Sequence, residues 1–381
     1  MRFDSTEQYA RDDIKLHIYS RALLDNLSAI KKLCTNRTKI CAVVKANGYG
    51  HGIREIVGIL KDARADFFAV ANVYEALHIC DLVELQKILI FEPIYSTLSA
   101  ELIRACAEKD FHCLSVCPES LEKISNVLAS TNLILNLHVK VETGMGRCGV
   151  GAEVAANLIK IIDKSKNLRL AGICSHFATA KDDLSFSREQ LRRFEDFLDK
   201  NKIHARKDVI VHIANSAGII NMPQSHFDMV RPGISLYGYA ADGFNKRLGL
   251  KAVCKLEAPI VQLNKFSKGQ TVGYDRGFKV ADDIIGAVIP IGYAEGYRRA
   301  FSNKAVMKVG ENFCPVIGKI TMDKCVIDVT AASDVFVGQM VTMLDNDQNS
   351  PCGAYALAEL AGTICYEILT SISPRAKRII H

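Results

Sequence analysis

Short apolar runs rich in β-branched residues alternate with helix-like segments between residues 39 and 235. There are eight such runs: KICAVV, DFFAV, KILIF, FHCLSV, ILNLHVKV, LAGICSHF, VIVHIA and FDMVRPG. The segments between them include PESLEKISNVLAS and REQLRRFEDFLDK, whose apolar residues recur three and four positions apart, as in an amphipathic helix. Strands that alternate with helices form a parallel sheet, and eight of them close a barrel. The sequence therefore predicts an α/β fold with an N-terminal (β/α)8 TIM-type barrel.

The pattern changes after about residue 245, where strands follow one another with little helix between them. The runs are VCKLEAPIVQL, DIIGAVIPI, AVMKV, CVIDV and QMVTML. We predict a barrel over residues 12–245 and a mostly-β C-terminal domain over residues 246–381. An early strand, DIKLHIY, lies near the start of the chain, and the segment 1–18 could pack with either domain, including the C-terminal one.

The composition excludes several classes of function. The formal net charge is +6 over 381 residues without a long Lys/Arg block, so a nucleic-acid partner is not expected. The segment MRFDSTEQYARDD is too charged for a secretory signal, and no run of about 18 apolar residues predicts a membrane span, so we expect a cytoplasmic protein. Thirteen cysteines are scattered without a C-x-x-C pair, which indicates no metal site, and Cys41, Cys174 and Cys254 are expected to be buried free thiols.

Polar and ionisable residues stand at the ends of the predicted barrel strands. In a parallel barrel the reactive groups gather at the C-terminal ends of the strands. Each such residue alone could be a solvated loop residue or a satisfied buried one, but together they predict a site at one end of the barrel. The residues in question are Lys45, Lys140, His176, Asn215, Ser216 and Arg231.

The surroundings of Lys45 indicate a specific chemistry. Lys45 follows an apolar strand, and burial lowers the pKa of an amine and makes it nucleophilic. The glycines of VVKANGYGHG permit close approach of the backbone to a ligand, and Tyr49 offers a hydroxyl. Ser216 and the RPGI turn, with free backbone N–H groups at Gly233 and Ile234, suit a phosphate. An amine beside phosphate donors is what pyridoxal 5'-phosphate requires for its Schiff base.

A competing interpretation comes from GMGRCG at residues 144–149. It fits the glycine fingerprint of a dinucleotide-binding turn, and Asp163 follows at roughly the distance that the fingerprint requires. However, this segment belongs to the fifth strand of the series, whereas a dinucleotide fingerprint opens a βαβ unit of its own. We interpret the glycines as allowing Arg147 and its loop to approach the ligand.

Nine segments occur in an order that resembles one family, the bacterial alanine racemases of fold type III, over nearly the whole chain. The segments are AVVKANGYGHG, KVETGMGRCG, SHFATA, HIANSAG, VRPGISLYG, TVGYDRGF, IGYAEGYRR, GKITMDKC and TICYEI. The resemblance implies a pyridoxal phosphate-dependent isomerase that interconverts L-alanine and D-alanine by two-base proton transfer and supplies D-alanine for peptidoglycan. It also implies a head-to-tail homodimer whose active sites are shared between chains.

The resemblance also assigns roles to individual residues. Lys45 becomes the Schiff-base lysine and the base that acts on D-alanine, and Tyr274 from the partner chain becomes the base that acts on L-alanine. Arg231 would face the pyridine nitrogen, and Lys140 matches a lysine that many members carbamylate. His176 would support the cofactor ring and Tyr274. Arg147 would contact the cofactor and the substrate carboxylate, and the Met322 backbone would bind the same carboxylate. The residues that would bind the phosphate are Tyr49, Ser216, Gly233, Ile234 and Tyr366.

The sequence departs from the family pattern at five positions, which leaves the substrate open. These are Gly48 in place of alanine, Glu142 in place of aspartate, Thr321 in place of cysteine or serine, Cys365 in place of asparagine and Pro374 in place of tyrosine. The alternative is therefore a racemase of broader specificity that acts on serine or basic amino acids. A non-catalytic carrier is disfavoured by the C-terminal domain, and a decarboxylase of related fold would need an acidic residue where Arg231 stands.

Overall fold

A nearly closed parallel barrel forms the first part of the computed structural model, which describes residues 11–63, 65–95, 97–240 and 244–381. Strand β1 (Arg11–Ile18) precedes it and belongs to a second sheet. The barrel strands are β2 (Lys39–Val43), β3 (Phe67–Val70), β4 (Lys87–Pro93), β5 (His112–Ser115), β6 (Leu135–Lys140), β7 (Leu168–Cys174), β8 (Ile210–His212) and β9 (Met229–Val230). Each of the eight predicted runs overlaps one of these strands, so the predicted barrel is confirmed.

The order of the strands explains the closure. All neighbours are parallel, in the order β8-β7-β6-β5-β4-β3-β2-β9. An isolated parallel bridge joins Asn215 to Arg231, and the Arg231 amide donates to the Ala214 carbonyl at 2.9 Å. The chain after β8 therefore lies against the end of β9, which brings the first and last strands of the sheet together.

Helices, most of them amphipathic, precede and connect the barrel strands. They are α1 (Ser20–Lys31), α2 (Lys45–Tyr49), α3 (Ile53–Leu60), α4 (Val73–Ile79), α5 (Ala100–Glu108), α6 (Pro118–Leu128), α7 (Ala152–Lys164), α8 (Leu184–Lys200) and α9 (Ser216–Asn221). Pro118 begins α6, where its missing N–H costs nothing, and the Asp183 carboxylate caps α8 by accepting from the Phe186 amide at 2.9 Å. Both helices predicted from the sequence, in PESLEKISNVLAS and REQLRRFEDFLDK, are present.

The second part of the chain is mostly β. Its helices are α10 (Phe244–Leu248), α11 (Ala354–Ala361) and α12 (Cys365–Thr370). Its strands are β10 (Cys254–Pro259), β11 (Gln262–Phe266), β12 (Thr271–Val272), β13 (Phe278–Lys279), β14 (Ile284–Ile289), β15 (Val306–Val309), β16 (Asn312–Ile317), β17 (Cys325–Asp328), β18 (Met340–Leu344) and β19 (Ala376–Ile380). They form one sheet in the order β11-β14-β17-β16-β15-β18-β10-β1-β19, and β12 pairs with β13 alone.

Strand β1 joins the two ends of the chain. It runs antiparallel to β10 and parallel to β19, so the described part of the N-terminal segment packs with the second sheet. Residues 1–10 of that segment lie outside the described residues. The domain bounds of 12–245 and 246–381 remain a prediction.

Buried apolar side chains form a core that continues from the barrel into the second sheet, from Leu137 and Val139 of β6 to Met343 of β18. All thirteen cysteines are free, and Cys41, Cys174 and Cys254 are buried as predicted. Burial raises the pKa of the Cys41 thiol to about 12, which makes it a poor nucleophile. No helix in the described ranges is long and apolar enough to cross a membrane.

Candidate active site

The predicted reactive residues lie at the carboxyl ends of the barrel strands. Lys45 begins α2 directly after β2, and Lys140 is the last residue of β6. His176 follows the end of β7, Ser216 begins α9 after β8, and Arg231 follows β9. Because the carboxyl ends of parallel strands meet at one end of a barrel, the structure brings these five side chains to the same place.

Lys45 is held as a largely buried amine among other cations. Burial lowers the pKa of Lys45, the positive charge of Arg147 lowers it further, Glu75 opposes this, and Lys140 again lowers it. The ammonium nitrogen lies 5.9 Å from the centroid of the Phe91 ring. The neutral, nucleophilic form of the amine is therefore present at a lower pH than for a solvated lysine.

The chain leaves Lys45 through an unusual left-handed turn. Residues 46–49 all have positive φ, between 53° and 62°. Only one of them is glycine, so the turn is strained. Two side chains hold it: a Glu75 carboxylate oxygen accepts from the Ala46 amide at 2.8 Å, and Oδ1 of the Asn47 side chain accepts from the Ile53 amide at 2.9 Å. This rigid turn fixes the direction in which Lys45 leaves the strand.

A polar cradle lies beside this turn. The Ser216 hydroxyl oxygen accepts from the Gly233 amide at 2.9 Å and from the Ser235 hydroxyl at 3.0 Å. A Cβ atom on Gly233 would fall 2.4 Å from the Tyr49 hydroxyl oxygen, so only glycine fits there. The Tyr366 ring lies 6.2 Å from the Tyr49 ring, between centroids. The expectation of a free N–H at Gly233 is wrong, because the tight turn directs that N–H onto Ser216.

Arg231 is a buried cation, 4% exposed, at the floor of the site. Its Nη2 donates to the carbonyls of Ser175 and Ile213 at 2.8 and 2.9 Å, and its Nη1 donates to Nδ1 of His212. His176 Nδ1 lies 3.4 Å from Nη2, and burial together with the charge of Arg231 lowers the pKa of His176. Within the described residues, no carboxylate forms an ion pair with Arg231.

The GMGRCG loop satisfies its own backbone donors. The Glu142 carboxylate accepts from the amides of Met145 and Gly146 at 2.6 and 3.0 Å, and also from Gly144. The acidic residue of the supposed fingerprint, Asp163, forms an ion pair with Arg206 at 2.7 Å. A nucleotide would find neither the amides nor the carboxylate available, so the dinucleotide interpretation is rejected.

Arg147 and Lys140 lie next to this loop. Arg147 is exposed, and its charge lowers the pKa of Lys45, His176 and Lys140, which places it at the same end of the barrel. Lys140 is buried, and burial lowers its pKa.

The structure does not bring Tyr274 and Met322 to Lys45 within one chain. Tyr274 begins a short 3-10 helix between β12 and β13 and is 68% exposed, and Met322 is 53% exposed. Met322 lies beside Tyr293 and Ala294, since its carbonyl accepts from the Ala294 amide at 3.0 Å. No hydrogen bond or ring contact among the described residues joins Tyr274 or Met322 to the side chains around Lys45.

Sequence reasoning missed two supports of the site. Glu75, which holds the left-handed turn, lies in α4 next to the Asn72 cap, where it resembles an ordinary first-turn acid. His212, which accepts from Arg231, lies inside an apolar strand. A histidine within an apolar strand that leads into the site is the signal that could have identified it.

Comparison with known proteins decides the family. The alanine racemase N-terminal domain family matches residues 18–241, and the alanine racemase C-terminal domain family matches residues 253–380. The chain belongs to the alanine racemase family. Members of this family are pyridoxal phosphate-dependent isomerases, and the predicted resemblance is confirmed.

Individual relatives cover the chain almost completely. Alanine racemase 1 of Clostridium acetobutylicum is 35% identical over 362 residues, 93% of this chain and 92% of that protein. The alanine racemase structure of Clostridium difficile 630 matches with a TM-score of 0.90 at 28% identity, over 97% of this chain and 96% of that one. The alanine racemase of Bacillus anthracis with bound L-Ala-P matches with a TM-score of 0.89 at 27% identity, over 97% and 95%. These alanine racemase relatives give no support to the alternative of a broader specificity.

Proposed function

We propose that this protein binds pyridoxal 5'-phosphate through Lys45 and interconverts L-alanine and D-alanine, with Lys45 and Tyr274 as the two bases. The observation that carries the proposal is the partly buried amine of Lys45 at a strand end, with a lowered pKa, beside the Ser216–Gly233 cradle. Membership of the alanine racemase family supports the reaction.

The residues present fit the cofactor. Gly233 leaves the space that a Cβ would fill against the Tyr49 hydroxyl. The Gly233 amide already donates to Ser216, so the donors suited to a phosphate are the Ser216 hydroxyl proton and the Ile234 amide. Tyr49, Ser216, Gly233, Ile234 and Tyr366 would hold that group. When bound, pyridoxal phosphate stabilises the negative charge that forms on the α carbon of the amino acid.

Arg231 would donate to the pyridine nitrogen. An arginine keeps its proton, so this ring nitrogen accepts a hydrogen bond without becoming protonated. The negative charge then stays closer to the α carbon, which favours return of a proton to that carbon over protonation elsewhere. The buried position of Arg231, with both terminal nitrogens hydrogen bonded, keeps this donor fixed.

Racemisation needs a base on each face of the α carbon, because a proton leaves one face and another arrives on the opposite face. Lys45 would serve one face and Tyr274 of the partner subunit the other. The phenol of a free tyrosine titrates near about 10, so neighbouring positive charge or hydrogen bonds must assist it, a role that suits His176. We therefore propose a homodimer in which each site takes Lys45 from one chain and Tyr274 from the other.

The same shared site would also bind the substrate carboxylate. Arg147 would bind the cofactor oxygen and the substrate carboxylate, together with the Met322 backbone from the other chain, and a carbamylated Lys140 would position Arg147. The product, D-alanine, would serve peptidoglycan synthesis in the cytoplasm.

Borohydride reduction tests the cofactor assignment. The purified protein should be yellow, and reduction should fix the cofactor to the peptide that contains Lys45. Recovery of the label on a peptide without Lys45 would refute the assignment. The ratio of alanine enantiomers, followed from L-alanine over time, tests the reaction, and serine, lysine and arginine as substrates test the specificity.

A further inference from the structure

Three histidines form a row through the interior of the barrel behind Arg231. Nδ1 of His112 (β5) lies 2.8 Å from Nε2 of His138 (β6), and Nδ1 of His138 lies 2.8 Å from Nε2 of His212 (β8). Nδ1 of His212 contacts Nη1 of Arg231. His138 and His212 are fully buried and His112 nearly so. A continuous row of hydrogen bonds therefore runs from the opposite end of β5 to the proposed cofactor site.

Arg231 determines the direction of every bond in this row. A guanidinium only donates, so Nδ1 of His212 must be an acceptor, and its ring proton must reside on Nε2. Nδ1 of His138 then has to accept from His212, which puts the His138 proton on Nε2. The same step puts the His112 proton on Nε2. One cation thus selects the same tautomer in three neutral imidazoles.

Burial keeps the row neutral. Burial lowers the pKa of His138 and His212 well below the ordinary value, and the charge of Arg231 acts in the same direction on both. Burial also lowers the pKa of His112 to about 4; Asp110 opposes this shift, and Lys87, Arg169 and Lys39 reinforce it. Protonation of any ring would set two N–H groups against each other, so the geometry itself opposes a charged histidine.

The backbone between these strands makes room for the row. Strand β7 lies between β6 and β8, and its residue opposite His138 is Gly172. A Cβ on Gly172 would fall 2.2 Å from Nδ1 of His138, where the bond to His212 is made. Without this glycine the imidazole of His138 could not reach across β7.

The row solves an electrostatic problem at Arg231. A buried cation usually needs a carboxylate, but a carboxylate here would neutralise the charge or compete for the guanidinium. Aligned imidazoles present only a lone pair and the negative end of their dipoles, and hydrogen bonds in such a row polarise one another. They can stabilise the guanidinium while it keeps its full positive charge.

We propose that His112, His138 and His212 form a neutral imidazole relay with one hydrogen-bond direction, which fixes Arg231 in position and charge toward the ring nitrogen of the cofactor. This proposal rests on the proposed function. His138 and His112 are then positioning residues, since they act on the cofactor only through His212 and Arg231.

Nitrogen NMR of the histidine-labelled holoenzyme tests the relay directly. Each of the three rings should be neutral with its proton on Nε2 at neutral pH, and single His→Gln variants assign the signals. A charged ring, or a proton on Nδ1 of any of the three, would overturn the proposal. The variants serve only to assign the signals, and the tautomers are read on the wild-type protein.

Variants test the effect on the cofactor. His138→Leu removes the acceptor of His212 and should lower kcat about tenfold, with KM for alanine changed less than about threefold. The pH at which the absorbance of the bound cofactor changes should also shift. His138→Gln, which retains an acceptor and a donor, should recover kcat to within about threefold of the wild type. A purely structural role would lower the melting temperature in both variants and leave the cofactor spectrum unchanged.

Ser115→Ala is the matched control. Ser115 is buried on β5 like His112, and its hydroxyl has no hydrogen-bond partner among the described residues. This control should leave spectrum and kcat unchanged. A folded, cofactor-loaded His138→Leu protein with wild-type spectrum and kcat would overturn the relay, and if that variant does not fold, the tautomers of the wild-type protein decide. Failure of borohydride to label Lys45 would refute the proposed function instead, while the tautomers could still be measured.

Discussion

The two parts of the chain present their predicted active-site residues in opposite ways. At the end of the barrel, Ser216 and Arg231 are buried and Lys45 is partly buried, and hydrogen bonds to the segments that follow neighbouring strands fix Ser216 and Arg231. In the second sheet, Tyr274 and Met322 are more than half exposed and belong to short loops. The barrel residues are held in place by hydrogen bonds, whereas Tyr274 and Met322 face solvent.

This difference indicates what one chain lacks. A rigid half-site can bind a cofactor, but a two-base reaction needs a second base on the opposite face. In a two-fold symmetric dimer the exposed tip of one chain can complete the buried half-site of the other, and the same contact occurs twice. The contrast in burial is therefore what a shared site requires, and four measurements test it.

The largest expected effect comes from removal of either base. Lys45→Ala and Tyr274→Phe should each lower racemisation by about a thousandfold or more. Mixed under subunit exchange, the two inactive proteins should regain activity, because one site of each hybrid carries both lesions and the other carries none. Random pairing makes about half the dimers hybrid, so activity should rise toward roughly one quarter of wild type. Demonstrated exchange without recovery would rule out the shared site.

A smaller loss is expected at the floor of the rigid half. Arg231→Glu should lower racemisation about a hundredfold and increase transamination, because a carboxylate shares a proton with the pyridine nitrogen. The rates of enantiomer exchange and of pyruvate formation measure both effects. Arg231→Lys is the control that keeps a cation. Unchanged racemisation in Arg231→Glu would show that Arg231 does not face the ring.

The GMGRCG loop should give an intermediate effect. Glu142→Ala removes the acceptor of three consecutive amides, so the loop that carries Arg147 loses its fixed shape. We expect KM for alanine to rise about tenfold, with a smaller change in kcat. Glu142→Asp, which matches the common family residue, serves as control and should stay near wild type. An equal loss in both variants would mean that the loop does not depend on this carboxylate.

The smallest expected effect is a pH dependence of stability at Lys45. Burial lowers the pKa of Lys45 in the folded protein below 10.5, so the unfolded chain binds more protons between these two values. The cofactor-free protein should gain stability as pH rises through this window, by about 1.4 kcal/mol per unit of difference. Lys45→Met has no titrating amine, so its free energy of unfolding should exceed that of the wild type most at low pH, and this difference should shrink as pH approaches 10.5.

Denaturant unfolding of both proteins at several pH values measures this difference. A difference in free energy of unfolding that does not change with pH would contradict the burial of the amine.

The barrel and most of its site could be predicted because each signal is local. A β-branched run followed by a helical segment identifies a strand. Lys45, Lys140 and Arg231 stand at the ends of such strands, so the sequence places them at one end of the barrel without knowledge of contacts. Strand β16 escaped prediction because Pro315 and a polar start mask its apolar alternation.

What the sequence could not provide are contacts between distant segments. His112, His138 and His212 are separated by 26 and 74 positions and become a row only when β5, β6 and β8 are adjacent or nearly so. The hydrogen bond from the Ala46 amide to Glu75 also joins segments 29 positions apart, the turn after Lys45 and the start of α4. Tyr274 and Lys45 could be linked only through the family resemblance, since no contact within the described part of one chain joins them.

The left-handed turn after Lys45 has a consequence for the evolution of heat resistance in this protein. Three residues other than glycine at positive φ cost of the order of 1–3 kcal/mol each, so this short segment is a reserve from which stability could be gained. Ala46→Gly would release part of that strain, because glycine adopts such angles readily. The same change would free the amine to point elsewhere. A lineage selected for thermal tolerance alone should therefore relax this turn early and lose turnover as it does so, whereas one selected for both should retain Ala46 and reinforce Glu75.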